Sequence, residues 1–183
     1  MSEHRGWHSR NCLPHFDAAH LTQMITFRLA DALPPALIDQ ARRVRNAQSE
    51  AEALLDSGYG ACWLSQPAVA AIVERSLLHF DGEQYRMLAW CIMPNHVHVM
   101  VEQVVGHRLG DIVGSWKRFT ALRANRILER RGPFWQTEYF DRFIRDERHY
   151  HAAVAYIEEN PVKANLVKAA SRWPWSSARY RGS

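Results

Sequence analysis

Two histidines separated by one residue are the first feature of this sequence that could do chemistry. His96 and His98 open the segment 96–102, H-V-H-V-M-V-E, whose strict alternation predicts a β-strand. Residues two apart on a strand point to the same side, so both imidazoles could bind one metal ion. The pair follows a Pro94-Asn95 turn beside an apolar strand, which predicts a place near the middle of a sheet, where unpartnered imidazoles are costly. Spacing alone leaves open the alternative of two hydrogen-bonded histidines without a ligand.

A tyrosine and an asparagine four residues apart are the second candidate pair. Asp146 is typical of a helix N-cap, and the helix is predicted to run to about Glu159 and to end at Asn160-Pro161. Tyr156 and Asn160 would lie one above the other on this helix. Packed across from the histidine strand, Asn160 could supply a neutral third ligand to Mg²⁺ or Mn²⁺. In isolation, the same helix fits an amphipathic core tyrosine and a helix-terminal asparagine.

A long helix over residues 108–130 is predicted to carry a basic surface. The net charge of +4 and the pI of about 9.2 favour a polyanionic partner without proving one. The apolar stripe is predicted to comprise Leu109, Ile112, Val113, Trp116, Phe119 and either Leu122 or Ile127. The other side would present five cations to DNA phosphates: Lys117, Arg118, Arg123, Arg126 and Arg130. A merely solvated helix face is the alternative.

The remaining segments supply the elements that would position these residues. Strands are predicted at 21–29, 85–93 and 138–145, besides 96–102. Helices are predicted at 66–80, at 108–130 and after Asp146, while 36–56 fits a surface helix or a flexible insertion. The order strand, helix, strand, strand, helix, strand, helix predicts a ferredoxin-like α+β fold, in which helices pack on an antiparallel sheet.

Length and composition indicate one globular domain over residues 1–183. Because 47% of the residues are hydrophobic and 23% are charged, a packed core is expected rather than disorder. No apolar run approaches a membrane span, and residues 1–5 lack the apolar segment of a secretory signal, so a cytoplasmic protein is expected. The three cysteines form no C-x-x-C pair and indicate neither disulfides nor a cysteine zinc site.

Five sequence blocks are distinctive as a set. They are M-P-N-H-V-H-V-M-V-E at 93–102, S-W-K-R-F-T at 115–120, F-W-Q-T-E-Y-F-D-R-F-I-R at 134–145, Y-I-E-E-N-P-V-K-A-N-L-V at 156–167 and W-P-W-S-S at 173–177. Together and in this order they resemble the blocks of the REP-associated tyrosine transposases, a group within the single-tyrosine HUH transposases. The resemblance covers nearly the whole chain and is weakest over residues 34–62.

This resemblance implies an activity and a set of site residues. It makes His96 and His98 the metal-binding pair, with Mg²⁺ or Mn²⁺ as the cofactor. Asn160 takes the place of the third ligand, and Tyr156 that of the nucleophile. The implied enzyme cuts single-stranded DNA, leaving a 5′-phosphotyrosine and a free 3′-hydroxyl, and rejoins it by the reverse reaction. The implied substrate is a repeated palindromic element folded as a hairpin, at the nucleoid, and both a monomer and a homodimer remain open.

Two other functions remain open on the sequence. A zinc hydrolase would bind its ion through His96, His98 and a distant histidine such as His107, and it would leave Tyr156 without a role. A domesticated protein would recognise DNA hairpins without cutting them. The complete set of two histidines, Tyr156 and Asn160 argues against this second alternative.

Overall fold

A computed structural model describes residues 6–10, 13–34 and 54–181 of the chain. Near its start, β1 (Gly6–Arg10) and β2 (Leu13–Asp17) form a two-stranded antiparallel sheet. The central sheet contains β3 (Thr22–Arg28), β4 (Tyr85–Ile92), β5 (His96–Gln103) and β6 (Phe140–Phe143). Its strands are antiparallel to their neighbours and lie in the order β4-β5-β3-β6, so β5 is an internal strand.

Three helices among the described residues accompany this sheet: α1 (Pro67–Leu78), α2 (Leu109–Ile127) and α3 (Glu147–Lys163). Because α1 lies between β3 and β4 in the chain, and α2 between β5 and β6, the order is that of the ferredoxin-like fold. The predicted fold class is therefore confirmed. Short 3-10 turns occupy Trp63–Ser65, Ala170–Arg172 and Ser177–Tyr180. None of the helices described is long and apolar enough to cross a membrane.

The two faces of the sheet bury different layers. The larger apolar cluster joins α1 and α2 to one face and includes, from β5, Val97, Val99 and Val101. On the other face Met100 belongs to a smaller cluster that contains Ile157 of α3. Since side chains alternate along a strand, His96 and His98 share the face of Met100. The histidines therefore face α3, and α1 and α2 cover the opposite side.

The elements begin and end near their predicted positions, with differences at the edges of the sheet. The hairpin of β1 and β2 is not predicted by the sequence pattern. β6 has four residues, fewer than the predicted strand 138–145. Of the helix or insertion predicted at 36–56, residues 36–53 lie outside the described residues, and residues 54–56 are helical.

α2 buries a different stripe from the predicted one. Leu109, Ile112, Val113 and Trp116 are buried as predicted. Phe119, Leu122 and Ile127 are 43%, 67% and 45% exposed, so their assignment to the stripe is wrong. The buried stripe continues in steps of four to Thr120 and Ala124. Thr120 is accommodated because its hydroxyl donates to the carbonyl oxygen of Trp116 (2.6 Å) and accepts from the indole of Trp135 (2.8 Å). The helix ends at Ile127, before the predicted residue 130.

α3 continues through Pro161, so the prediction that Asn160-Pro161 ends it is wrong. Proline lacks the N–H that would bond to the preceding turn, but the turn after it closes normally. The N–H of Ala164 donates to the carbonyl oxygen of Asn160 at 2.9 Å. The beginning is as predicted, since the Asp146 carboxylate accepts from the N–H of His149 at 2.7 Å. The added residues bring Lys163 onto the helix.

Candidate active site

The imidazole rings of the two histidines of β5 lie next to each other. Nε2 of His96 lies 3.0 Å from Nε2 of His98, and their ring centroids are 4.6 Å apart. Both side chains are buried, with exposed fractions of 0% and 1%. The alternation along β5 thus brings both imidazoles to one side of the sheet, facing α3.

A chain of hydrogen bonds orients both rings. The amide of Asn95 donates through Nδ2 to the carbonyl oxygen of Tyr59 (2.8 Å), which turns its Oδ1 towards Nδ1 of His96 (2.7 Å). His96 therefore carries its proton on Nδ1 and presents a lone pair at Nε2. Nδ1 of His98 lies 2.8 Å from the hydroxyl of Thr26, a group that can donate or accept. Asn95 and Thr26 thus aim the two Nε2 atoms at each other.

Burial keeps both imidazoles neutral. Desolvation lowers the pKa of His98 to about 3, and it lowers the pKa of His96 well below its usual value. Positive charge acts in the same direction: Lys163 lowers the pKa of His98, while His98 and Arg28 lower that of His96. Neutral imidazole is the form that binds metal ions. At neutral pH the pair is therefore available to a cation.

The arrangement fits a divalent ion. Two ligands about 2.1 Å from an ion and at a right angle are about 3.0 Å apart, which matches the separation of the two Nε2 atoms. Asn160 is fully buried, and neither of its amide atoms has a hydrogen-bond partner in the described part of the chain. Such a buried amide is costly unless a ligand satisfies it. Asp56 adds a carboxylate oxygen 3.7 Å from Nε2 of His96.

Among the described residues, a third protein ligand would be of a different chemical type. Among the residues that the structure describes, no three His, Cys, Asp or Glu side chains could hold an ion together. A side-chain amide oxygen, such as that of Asn160, is a ligand type that suits Mg²⁺ and Mn²⁺.

Tyr156 lies against His98, the second histidine of the pair. Its ring centroid is 5.4 Å from that of His98, at an interplanar angle of 74°. Asn160 follows one turn later on the same helix face. The structure thus brings Tyr156 into contact with His98 and places Asn160, with its unsatisfied amide, on the helix that carries the tyrosine.

Two cations that the sequence analysis did not single out flank this site. Arg28 pairs with His96 in the register of β3 and β5, so its side chain leaves the sheet on the same side. Nζ of Lys163 lies 4.8 Å from the centre of the Tyr156 ring. A spacing of seven residues, about two helical turns, could have revealed Lys163 from the sequence. Arg28 could not be found in this way, because its position depends on the strand register.

The chain after α3 fastens the tyrosine helix to β4. The carboxylate of Glu158 accepts hydrogen bonds from the hydroxyl of Ser177 and from Nε of Arg181, both at 2.6 Å. The Ser177 oxygen in turn accepts from the N–H of Trp90 in β4 at 3.1 Å. These bonds hold α3 in a fixed relation to the sheet and therefore hold Tyr156 in place.

Two of the five predicted DNA-contacting cations make internal contacts. Lys117 donates through Nζ to the carbonyl oxygens of Gln136 (2.6 Å) and Thr137 (2.7 Å), and burial lowers its pKa to about 8. Arg130 donates to Oδ1 of Asn125 (2.7 Å) and to a loop carbonyl oxygen (3.1 Å). Both side chains bind the segment that follows α2.

Arg118, Arg123 and Arg126 are exposed. Arg118 lines a cleft of about 780 Å³ between α2 and residues 132–139. Arg123 lies over the ring of Phe119 at 4.2 Å and lines a separate cavity beside α1. Neither cavity is lined by the two histidines or the tyrosine of the site. The cavities that Arg118 and Arg123 line are therefore separate from the site.

His107, the example given of a third zinc ligand, lies far from the pair. His96 begins β5, whereas His107 follows the other end of that strand, where its carbonyl oxygen accepts from the Gln103 amide at 3.2 Å. At about 3.4 Å per residue, the two ends of such a strand are roughly 20 Å apart. His107 therefore cannot share an ion with His96 and His98.

The chain is similar in sequence to transposases. The family "Transposase IS200 like" matches residues 70–160, which include both histidines, Tyr156 and Asn160. A REP-associated tyrosine transposase of Escherichia coli K12 is 30% identical over 97 residues, covering 51% of this chain and 54% of that protein. A Haemophilus influenzae protein provisionally assigned to the same group is 26% identical over 103 residues, covering 51% and 58%. The chain thus spans little more than half the length of these curated relatives.

The fold also matches a solved structure, that of a REP-associated tyrosine transposase bound to a REP hairpin. The two superimpose with a TM-score of 0.60 at 19% identity, covering 98% of this chain and 84% of that one. This likeness establishes the fold over nearly the whole chain, including the sheet and the helix that together form the candidate site.

Proposed function

Since this chain belongs to the IS200-like transposase family, we propose that it cleaves and rejoins single-stranded DNA through Tyr156. The observation that carries the proposal is the contact of the Tyr156 ring with buried His98, whose Nε2 lies 3.0 Å from that of His96. A nucleophile beside a cation site suits transfer of a phosphoryl group to tyrosine, because the ion can stabilise charge on the phosphate under attack. By extension from its relatives, the substrate is hairpin-forming palindromic repeat DNA. Cleavage would take place at the nucleoid, by a monomer or a homodimer.

His96, His98 and Asn160 would hold the metal ion, Mg²⁺ or Mn²⁺. Two imidazoles and one amide are neutral ligands, so the ion keeps its full charge for a phosphate. When bound, it would polarise the phosphate and stabilise the charge that develops there. Asn95 and Thr26 keep both histidines oriented towards the ion.

Tyr156 would perform the covalent step. Its Oη attacks the phosphorus of one phosphodiester, and the bond from that phosphorus to the 3′ oxygen breaks. The phenol proton passes to water and the departing oxygen takes one up, which leaves a 5′-phosphotyrosine and a free 3′-hydroxyl. In the rejoining step a 3′-hydroxyl attacks the phosphotyrosine and releases the phenol. Because one phosphate ester replaces another, no nucleoside triphosphate is consumed.

A covalent adduct tests this proposal. We would incubate the protein with end-labelled single-stranded hairpin DNA from the repeats flanking its own gene, with Mn²⁺, Mg²⁺ or chelator, and resolve denatured samples by mass. We expect a metal-dependent adduct that disappears in Tyr156→Phe. Tyr150→Phe is the matched control, because Tyr150 lies on the same helix and against the same apolar cluster, and it should form the adduct normally.

Each of the other outcomes would indicate a different function. Cleavage without an adduct, unchanged in Tyr156→Phe, would indicate a metal hydrolase. Tight hairpin binding with neither adduct nor cleavage under any ion would indicate a domesticated DNA-binding protein. Either result contradicts the role proposed for Tyr156.

A further inference from the structure

Lys163 is the cation nearest to the tyrosine ring among the described contacts. Its Nζ lies 4.8 Å from the centre of the Tyr156 ring. Seven residues separate the two, about two turns of helix, so Tyr156, Asn160 and Lys163 lie along one face of α3. The side chain of Lys163 is exposed, while Asn160 between them is buried. The lysine therefore stands at the outer end of a row that leads to the histidine pair.

An ordinary structural role explains part of this position. Lys163 is the last residue of α3, and a cation there interacts favourably with the C-terminal end of the helix dipole. That role, however, would leave the side chain free to point in any outward direction. Instead it lies over the tyrosine, and its charge helps to lower the pKa of the buried imidazole of His98. Its field therefore reaches both the proposed nucleophile and the proposed metal pair.

The extension of α3 beyond Pro161 produces this arrangement. Had the helix ended at Asn160, residue 163 would not continue the helical face of Tyr156. In the part of the chain that the structure describes, Lys163 makes no ion pair, and its contact is with an aromatic ring. Cation–π contacts at exposed sites are weak. An anion that binds near Tyr156 could therefore form an ion pair with the ammonium group of Lys163, at the cost of only this weak cation–π contact.

We propose that Lys163 binds the phosphate that Tyr156 attacks, and that it remains paired with this phosphate in the 5′-phosphotyrosine. This inference rests on the proposed function and assigns one further residue to the same site. The phosphorus must come within bonding distance of Tyr156 Oη, so its non-bridging oxygens pass close to the ammonium group over the ring. Lys163 would thus face the phosphate from the helix side, opposite the histidine pair.

Salt dependence of DNA binding tests the contact without requiring chemistry. We would measure affinity for a labelled hairpin with a single-stranded 5′ tail at several salt concentrations, in chelator so that no strand is cut. Loss of one phosphate contact on a single strand should reduce the slope of log K against log salt by about 0.7. We expect this reduction in Lys163→Gln and little change in Lys163→Arg. Lys168→Gln, which removes an exposed lysine five residues later, should keep the wild-type slope.

Adduct formation tests the same residue in the reaction. With saturating DNA and Mn²⁺, Lys163→Gln should form the phosphotyrosine adduct about 100-fold more slowly, since it lacks one charge that stabilises the reacting phosphate. Lys163→Arg should recover most of the rate, and Lys168→Gln should match the wild type. Circular dichroism melts of the three variants check that α3 remains folded.

The two readouts separate this inference from the proposed function. If Lys163→Gln keeps the wild-type slope and rate, or if Lys168→Gln lowers them equally, Lys163 is only a helix-end cation. If the wild-type protein forms no adduct with any ion, the proposed function fails, and the change in slope alone decides whether Lys163 contacts a phosphate.

Discussion

At the scale of single residues, the hydroxyl of Thr26 determines how His98 can serve a metal ion. His96 is fixed by Asn95 and presents a lone pair at Nε2, so His98 must donate its own Nε2 proton across the 3.0 Å gap. A cation needs lone pairs on both atoms, and His98 must then carry its proton on Nδ1. The Thr26 hydroxyl permits this change, because it can donate to Nδ1 in one form and accept from it in the other.

Replacing Thr26 with valine should therefore weaken metal binding. Valine preserves the branched shape that suits a strand, but it offers no partner to Nδ1 of His98. Loss of such an orienting bond typically lowers metal affinity about 10- to 100-fold, and titration calorimetry with Mn²⁺ would measure it. Thr22→Val, four residues earlier on β3, is the matched control and should bind Mn²⁺ like the wild type. Equal affinities for both variants would show that Thr26 does not orient the histidine.

At the scale of elements, the position of α3 depends on the chain that follows it. Ser177 is 4% exposed and joins Glu158 of α3 to the N–H of Trp90 in β4. Ser177→Ala would leave a buried carboxylate with one partner fewer and a buried N–H without one. We expect a loss of about 1 to 3 kcal/mol in the free energy of unfolding, measured by urea denaturation.

Two further variants test whether the buried hydrogen bonds of Ser177 cause this loss of stability. Ser171→Ala, at an exposed serine of the preceding 3-10 turn, should unfold like the wild type. Arg181→Ala should lose less than Ser177→Ala, because the Arg181 side chain is about half exposed and water can replace it. A larger loss at Arg181 than at Ser177 would mean that charge, rather than buried hydrogen bonding, fastens α3.

The elements also show which features a sequence pattern can reveal. The alternation of β5 sets the side on which His96 and His98 project, because a strand has a period of two. The helical repeat likewise aligns Tyr156 with Asn160. In contrast, the partners of the histidines on neighbouring segments, Thr26 and Arg28, depend on strand register, which a single strand does not encode.

Errors in the sequence analysis have local physical causes. Phe119 is apolar, yet it lies outside the buried stripe of α2, because Thr120 satisfies its hydroxyl within the core and takes that place. Proline normally ends a helix, but α3 continues through Pro161, and the turn after it closes with the N–H of Ala164 bonded to the carbonyl oxygen of Asn160. Apolar type and helix-breaking tendency are only averages, and tertiary packing decided both cases.

At the scale of the whole molecule, the buried histidines should make stability depend on pH. In the folded protein the pKa of His98 is about 3 and that of His96 is well below its usual value, whereas in the unfolded chain both are near 6.5. Below pH 6.5 the two histidines therefore bind protons in the unfolded chain but stay neutral in the folded protein. Stability should be complete above that pH and should fall as the pH decreases towards the folded-state values.

The expected loss in the free energy of unfolding is large enough to measure above the pH at which carboxylates begin to titrate. Between pH 7.5 and pH 5, each histidine held neutral should reduce the free energy of unfolding by about 2 kcal/mol. Urea denaturation in chelator should show this loss in the wild type. It should be much smaller when both residues are replaced by glutamine, which does not titrate. A double variant as sensitive to acid as the wild type would mean that other groups cause the dependence.

Metal binding should oppose this loss only while the histidines can stay neutral. An ion that binds the folded state stabilises it by RT ln(1 + [L]/Kd), or about 2.7 kcal/mol at a hundredfold excess over Kd. At pH 7.5 Mn²⁺ should therefore raise the urea midpoint. The same concentration should add a similar amount of stability at pH 5, because the folded-state histidines remain neutral over this range and proton uptake by the unfolded chain lowers the stability equally with and without the ion. Because the double glutamine variant lacks both ligands, Mn²⁺ should leave its midpoint unchanged at every pH. A similar rise in that variant would place the bound ion somewhere other than the histidine pair.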